Sequence, residues 1–432
     1  MSTKKLIDIR RIYLMLIIAL IITSCSEKGN SLALNKGNRI VLIGNNLGSR
    51  MLNFGHFETE MQLRYPDSLL FIRNMCDGGN TPGFRPHSAR NSPWAFPGAE
   101  KFQTEYAQKS GSIGHYETPD EWLSRLNADI IIAFFGYNES FQGKEGLENY
   151  KAELHAFIQH TKEQKYNGTK PPQLALVSPI AFANLSARKD LPDGVKENQN
   201  LSLYTEAMRE IAKADSILFV DVFNPSSEWF SKEAEKLTSD GFQLNDWGYQ
   251  KFVKLLVDQI FGKNKSKAEE NRNLVHEAVM DKNWYWHNDY KMPNGVHAFG
   301  RRYDPFGPAN YPFEIEKIRE MTSIRDSAIW AAAKGKKTDV AAADAKTKKL
   351  PPVETNYDPG QGDVEAGYLY GKDALDKIKV AKGYKLELFA SEKEFADLAN
   401  PVQLSFDNRG RLWVGVMPSY PHYRPGDSKP ND

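Results

Sequence analysis

Four short motifs gather the side chains of this chain that are best suited to handling a polar ligand. Arg39-Ile-Val-Leu-Ile-Gly44-Asn45-Asn46-Leu47 runs an apolar stretch into a tight turn. Arg73 to Thr81 ends in Asp77-Gly78-Gly79-Asn80-Thr81, and Phe134 to Ser140 contains Gly136-Tyr137-Asn138-Glu139. Asp240-Gly241-Phe242-Gln243-Leu244-Asn245 lies far downstream. Amides dominate these motifs. An Asn or Gln amide donates and accepts hydrogen bonds, but it does not titrate near neutral pH. Asn46, Asn138 and Gln243 can therefore orient a ligand; they cannot shuttle a proton. At Gly79 the missing side chain lets a backbone N–H approach a ligand closely.

The order and spacing of the four motifs resemble the sequence blocks of the SGNH (GDSL) hydrolase family, over about half of the chain. That family reads Gly-Asp-Ser-Leu in its first block and Asp-x-x-His in its last. The resemblance puts Asn46 at the nucleophile position, where the family has Ser, and Gln243 at the general-base position, where it has His. It puts Gly79 and Asn138 at the oxyanion positions and keeps Asp240 as the orienting carboxylate. Asn45, Asn80 and Glu139 flank these positions as ligand-binding candidates, and Glu139 extends the family's acid by one carbon. The two residues lost are those that perform covalent and proton chemistry, and an oxyanion hole alone leaves only residual catalysis. The resemblance thus implies a catalytically degenerate domain that binds a polar ligand, with a carbohydrate or acylated glycan as the expectation by analogy.

Two other classes compete. One is an active carbohydrate esterase or deacetylase with a substituted catalytic set. Cys76 or Ser49 would be its nucleophile, served by one of His56, His87, His115, His287 or His297. His87 lies in the Pro- and Gly-rich stretch Thr81–Pro97, long enough to lid a site. The other is a structural module whose pocket is filled by its own side chains. Trp94, Phe96, Trp284 and Trp286 either stack on sugar rings or pack an extension onto its domain. There is no Cys-x-x-Cys-His haem motif and no Cys/His zinc cluster, so no cofactor or metal is expected.

The elements that must position these residues alternate. Apolar, largely β-branched runs at Ile40–Ile43, Leu69–Ile72, Ile130–Phe135, Leu174–Val177 and Ile217–Val222 read as strands buried on both faces. Helical patterns lie between them, near Leu47–Arg64, Pro119–Leu126, Leu147–Gln164, Leu201–Ala214 and Trp247–Phe261. Thr118-Pro119-Asp120-Glu121 is a capping-box start. The alternation predicts a three-layer, doubly wound, flavodoxin-like α/β domain over residues 38–262, with its ligand site outside the carboxyl ends of the strands. A helical, aromatic extension is expected over 263–334, with its last helix from Pro312 to Lys334, and a low-complexity linker over 335–367.

The two ends of the chain carry signals of their own. Lys4, Lys5, Arg10 and Arg11 precede an apolar run, Ile12–Ile22, that is short for a membrane span and suits a signal peptide. Ile22-Thr23-Ser24-Cys25 resembles a lipobox. It implies that residues 1–25 form a lipoprotein signal with Cys25 as the acylated residue, that 26–37 are a tether, and that the protein is anchored in a bacterial envelope, at the outer membrane or periplasmic face. With Cys25 lipidated, Cys76 has no intrachain partner. At the other end, alternation at Tyr384–Phe389 and Val402–Phe406, an Asp407–Gly410 turn and Arg411–Val416 predict β structure with a hairpin. Residues 368–432 resemble the opening of the β-propeller of sorbosone-dehydrogenase-like envelope proteins, which implies that the rest of an all-β propeller is missing here. The net charge of +1 over 432 residues gives no electrostatic footprint for nucleic acid.

Overall fold

The computed structural model describes residues 31–103, 113–187, 190–352, 369 and 371–417. Cys25 and the proposed signal lie outside the described residues. Among those described, no helix is long and apolar enough to cross a membrane. The chain divides into two compact units, up to residue 353 and from residue 354.

The first unit is built on five parallel strands: β1 (Arg39–Gly44), β2 (Phe71–Asn74), β3 (Ile130–Phe134), β4 (Gln173–Val177) and β5 (Leu218–Val220), in the order β2-β1-β3-β4-β5. This is the doubly wound α/β arrangement expected, with the flavodoxin-like order. Strand side chains alternate between faces. In β1 and β3, Ile40, Leu42, Ile130, Ile132 and Phe134 enter one core, while Val41, Ile43, Ile131 and Ala133 enter the other. That is why the runs are apolar at every position rather than at every second one.

Helices cover both faces. The predicted helix over Leu47–Arg64 is three pieces, α1 (Asn46–Ser49), α2 (Met51–Phe54) and α3 (His56–Arg64), interrupted at Arg50 and broken at left-handed Gly55. Then come α4 (Pro119–Arg125), with the expected capping box at Thr118 and Glu121, α5 (Tyr137–Ser140), α6 (Leu147–Glu163), α7 (Val195–Ala214), α8 (Phe223–Leu237) and α9 (Asp246–Phe261). The sequence reading missed α8, which carries Pro225 near its start and a kink at Glu233.

The extension consists of α10 (Arg272–Tyr290), α11 (Gly295–Ala298), α12 (Tyr303–Ala309) and α13 (Tyr311–Ala332). It covers the open edge of the sheet. Strand β2 pairs with β1 alone, so its outward carbonyls need partners. Trp330 Nε1 donates to Leu70 O at 3.0 Å, Lys282 Nζ to Ile72 O at 3.2 Å and Trp286 Nε1 to Asn74 O at 2.7 Å. The spacing of two follows the pleat. Buried charges reinforce the seam: Arg73 meets Asp326 through two parallel bonds of 2.8 and 2.5 Å, and Lys282 meets Glu58 at 2.6 Å. Trp286 thus packs the extension onto its domain, one of the two roles its type allowed.

The Ala- and Lys-rich segment expected to be a linker starts as part of the first unit. It forms α14 (Val340–Asp344), tied by Arg325 to Asp344 through two 2.8 Å bonds, and buries Thr347. Composition alone does not register a buried arginine waiting on a neighbouring helix.

The second unit holds α15 (Lys372–Leu375) and an antiparallel hairpin, β6 (Pro401–Phe406) with β7 (Leu412–Val416), turning at the predicted Asp407–Gly410. Tyr384–Phe389 alternates in sequence but forms no strand, because alternation makes a strand only where a ladder partner exists.

Candidate functional site

The ends of β1 and β3 and the loops after β2, β4 and α8 build the site. Gly44 and Phe134 are in register at the carboxyl ends of β1 and β3. Gly44 has φ of +121°, and a Cβ there would lie 2.1 Å from Phe134 O, so only glycine lets β1 turn this close to its neighbour. Asn45 N then donates to Phe134 O at 2.9 Å, and Asn45 Oδ1 accepts from Leu47 N at 3.2 Å, capping α1. Asn46 is the first residue of that helix.

The loop between α8 and α9 brings the downstream motif. Asp240 Oδ1 accepts the N–H groups of Phe242 at 3.0 Å and Gln243 at 2.6 Å, closing a tight Asx turn. Gly241 sits at φ +94°, and a Cβ there would meet Ala183 O at 2.6 Å. Its carbonyl accepts from Ala183 N at 2.6 Å, which fixes the loop over the sheet end.

Asn46, Asn138, Asp240 and Gln243 converge on one open cleft of ≈ 460 Å³ from positions spread over almost 200 residues of sequence. The wall facing them includes Tyr137 and Phe242, whose rings stack with centroids 3.6 Å apart, and Phe182. These aromatic residues were not picked out from the sequence, although Tyr137 and Phe242 occupy the unspecified positions inside two of the motifs. Among the described residues lining the cleft, Asp240 and Tyr137 alone can titrate, and burial beside Asp240 pushes the Tyr137 phenol up to about 12. Among the described residues, no Ser, Thr, Cys, Lys or His lines it.

Other expected positions fall elsewhere. Gly78, not Gly79, lines the cleft; Gly79 lines a neighbouring cavity with Glu139. Asn138 Nδ2 donates to Gly78 O at 3.0 Å and Asn80 O at 2.8 Å. An amide nitrogen has two protons. Both are spent holding the loop after β2, so Asn138 lines the cleft without a free donor to offer an oxyanion. Asn80 is buried within that loop, and Asn45 is the helix cap. Glu139 is buried as well, and its Oε2 accepts from Gly136 N at 2.8 Å.

The substitute nucleophiles are not in place. Cys76 is 1% exposed, and burial raises its thiol pKa far above the usual range. Ser49 lies in α1 and does not line the cleft. His87 stacks on Tyr116 at 4.0 Å and meets Lys291 O at 3.0 Å; burial and the neighbouring Arg90 bring its pKa down to about 4. The Thr81–Pro97 loop is cross-tied by Arg85 N to Pro93 O and Ala95 N to Gly83 O. His56 pairs with Asp246 at 2.7 Å, away from the cleft. Among the described residues, no group of three or more His, Cys, Asp or Glu could hold a metal ion.

A family model described as a domain of unknown function (DUF7133) matches residues 371–432. Comparison with curated proteins gives no match. Among solved structures, the chain is similar to a gut microbial diltiazem-metabolizing enzyme, at 17% identity and a TM-score of 0.37 over 52% of this chain. The match spans 47% of that enzyme, just under half its length. The chain is also similar to a protein described as a GDSL-like lipase from Parabacteroides merdae (15% identity, TM-score 0.38, 53% of this chain and 98% of that one). A catalytic mutant of an acetylxylan esterase from Geobacillus stearothermophilus is a further neighbour (15% identity, TM-score 0.36, 53% and 96%).

Proposed function

We propose that the α/β domain is a catalytically degenerate member of the SGNH hydrolase class that binds a polar ligand, a carbohydrate or acylated glycan, in the cleft at the strand ends. One observation carries this reading. The residues at the nucleophile and base positions, Asn46 and Gln243, meet Asp240 in an open cleft and bring amides where acyl transfer needs a hydroxyl and an imidazole. The amides and the Tyr137–Phe242 stack suit a ligand with hydroxyl edges and an apolar face. An open cleft also speaks against a purely structural module whose pocket is filled from within.

In this proposal the protein is tethered to the bacterial envelope by a lipid on Cys25, and the second unit opens a dehydrogenase-like β-propeller. The lipobox-like Ile22–Cys25 and the hairpin sequence support those two assignments.

The test uses the full-length chain with a chromogenic acetyl ester and acetylated polysaccharide, and Asp240→Ala as control. Turnover no higher than that control, with retention on immobilised acetylated polysaccharide that Asp240→Ala weakens, is the expected result. Turnover that Asp240→Ala abolishes would overturn the degenerate reading and establish an esterase with a substituted catalytic set.

A further inference from the structure

Beside the cleft, with Asn138 in the shared wall, lies a second cavity of ≈ 360 Å³. Its lining holds two carboxylates, Glu139 and Glu153, the Tyr150 phenol, the Phe84 ring and several amides; among the described residues, no Lys, Arg or His lines it. Glu153 Oε1 is well satisfied, accepting from Thr81 Oγ1 and Gly83 N at 2.8 Å and from Gln103 Nε2 at 3.1 Å. Glu139 and Tyr150 are not. Glu139 is 7% exposed and Tyr150 2%. Glu139 Oε1 and Tyr150 Oη are both buried with no hydrogen-bond partner.

Buried polar atoms left unpaired cost about 1–3 kcal/mol each. Two of them, on residues that line one cavity, mark a place where a ligand supplies what the protein does not. The sign of the charge selects the ligand. Two acidic side chains, one of them ionised only once its proton is displaced, disfavour an anion, and an apolar group would satisfy neither oxygen. A cation bearing several N–H donors satisfies both.

We propose that this cavity binds a primary ammonium group, held by Glu139 Oε1 and Tyr150 Oη, with the Phe84 ring as its apolar wall. The group is either that of an amino sugar or that of a simple aliphatic amine. The proposal needs no ligand in the cleft and no hydrolysis, so it stands apart from the reading above.

The groups facing Glu139 are Glu153 and Tyr150 from α6 and Tyr204 from α7; Arg85, from the loop after β2, acts on Glu153. Burial, with Glu153 adding to it, pushes the Glu139 carboxyl up to about 8. In the empty cavity near neutral pH that carboxyl carries a proton. An entering ammonium favours the carboxylate, and the proton leaves to the buffer. Binding therefore tightens as pH rises towards about 8, by at most roughly tenfold per unit.

Isothermal titration of the full-length chain with propylamine, glucosamine and N-acetylglucosamine tests this. Propylamine is followed from about pH 6.5 to about pH 8.5 in phosphate and in HEPES, which differ in ionisation heat. The expected result is amine binding with proton release, tightening with pH, and no binding of N-acetylglucosamine at this cavity. Glu139→Gln is expected to weaken it at least tenfold and flatten the pH profile, Tyr150→Phe to weaken it several-fold, and Asp240→Ala to leave it unaltered. Binding of both amines makes a simple ammonium sufficient; binding of glucosamine alone shows that the sugar ring is needed. The proposal is overturned if neither amine binds at millimolar concentration, or if Glu139→Gln weakens the binding of N-acetylglucosamine as much as that of glucosamine. It is also overturned if binding releases no proton, or if Asp240→Ala abolishes it. Should Glu139→Gln fail to fold, proton release in the unaltered protein and the Tyr150→Phe comparison decide the question.

Discussion

Replacing Lys282 by Met tests how the extension is held to the sheet. The ammonium and the Glu58 carboxylate meet at 2.6 Å, with both side chains at most 5% exposed, and Glu58 Oε1 has no partner of its own. Burial raises the Glu58 pKa and lowers that of Lys282, each opposed by the other's charge. Removing the cation leaves an uncompensated buried carboxylate, which costs about 3–5 kcal/mol. The Ile72 carbonyl loses its 3.2 Å donor but keeps Arg73 Nη1 at 2.9 Å, so this adds at most about 1 kcal/mol. The double variant Glu58→Leu/Lys282→Met removes both charges and is expected within about 1–2 kcal/mol of the parent, because paired buried ions are replaceable by apolar side chains. Urea denaturation followed by tryptophan fluorescence reads these differences. The deficit of Lys282→Met also depends on pH. With the cation gone, the folded-state pKa of Glu58 rises further above its unfolded value of about 4.3, so the deficit is small below that pH and grows as pH rises. A single variant that costs less than about 1 kcal/mol at neutral pH, or a double variant as unstable as the single, would refute the argument.

Three further outcomes are expected. Asn46→Ser combined with Gln243→His should raise acetyl-ester hydrolysis at least tenfold over the same pair carrying Asp240→Ala; with the Asn138 donors engaged elsewhere, the gain stays far below that of a complete active site. Cys76 should resist thiol reagents in the folded protein and react only on denaturation, because both its burial and its raised pKa suppress the thiolate. His87 titrates at about 4 when folded and near 6.5 when unfolded, so stability should fall as pH drops through that interval. His87→Gln should remove that part of the slope, and an unchanged pH profile of the melting temperature would count against it.

Much of the α/β framework was legible because it depends on periodicity. Strands buried on both faces leave short β-branched runs, and all five runs coincide with strands. The meeting of Asn46, Asn138, Asp240 and Gln243 was legible through a resemblance, since no local pattern links positions so far apart. What stayed hidden depends on contacts between distant segments. The break at Gly55 could not be told from a tolerated helix glycine without knowing that Met280 and Val279 of α10 crowd it. That Asn138 spends both protons on the loop after β2 is a fact of loop geometry. The stretch after residue 335 reads as a linker until Arg325 is seen holding Asp344.

The covered edge of β2 also bears on how this protein is made. Leu70 O accepts from Gln62 nearby at 3.0 Å, but its second donor, Trp330, comes 260 residues later in the chain. At about 5–20 residues per second, a ribosome needs roughly 13–50 s to deliver that partner. During that interval the N-terminal strands can collapse while the β2 edge still lacks the donors of the extension, with only Gln62 on Leu70 O and Arg73 on Ile72 O to occupy it. A nascent protein of this design is exposed to strand-to-strand capture for most of its synthesis, and its dependence on chaperones should be greatest in that window.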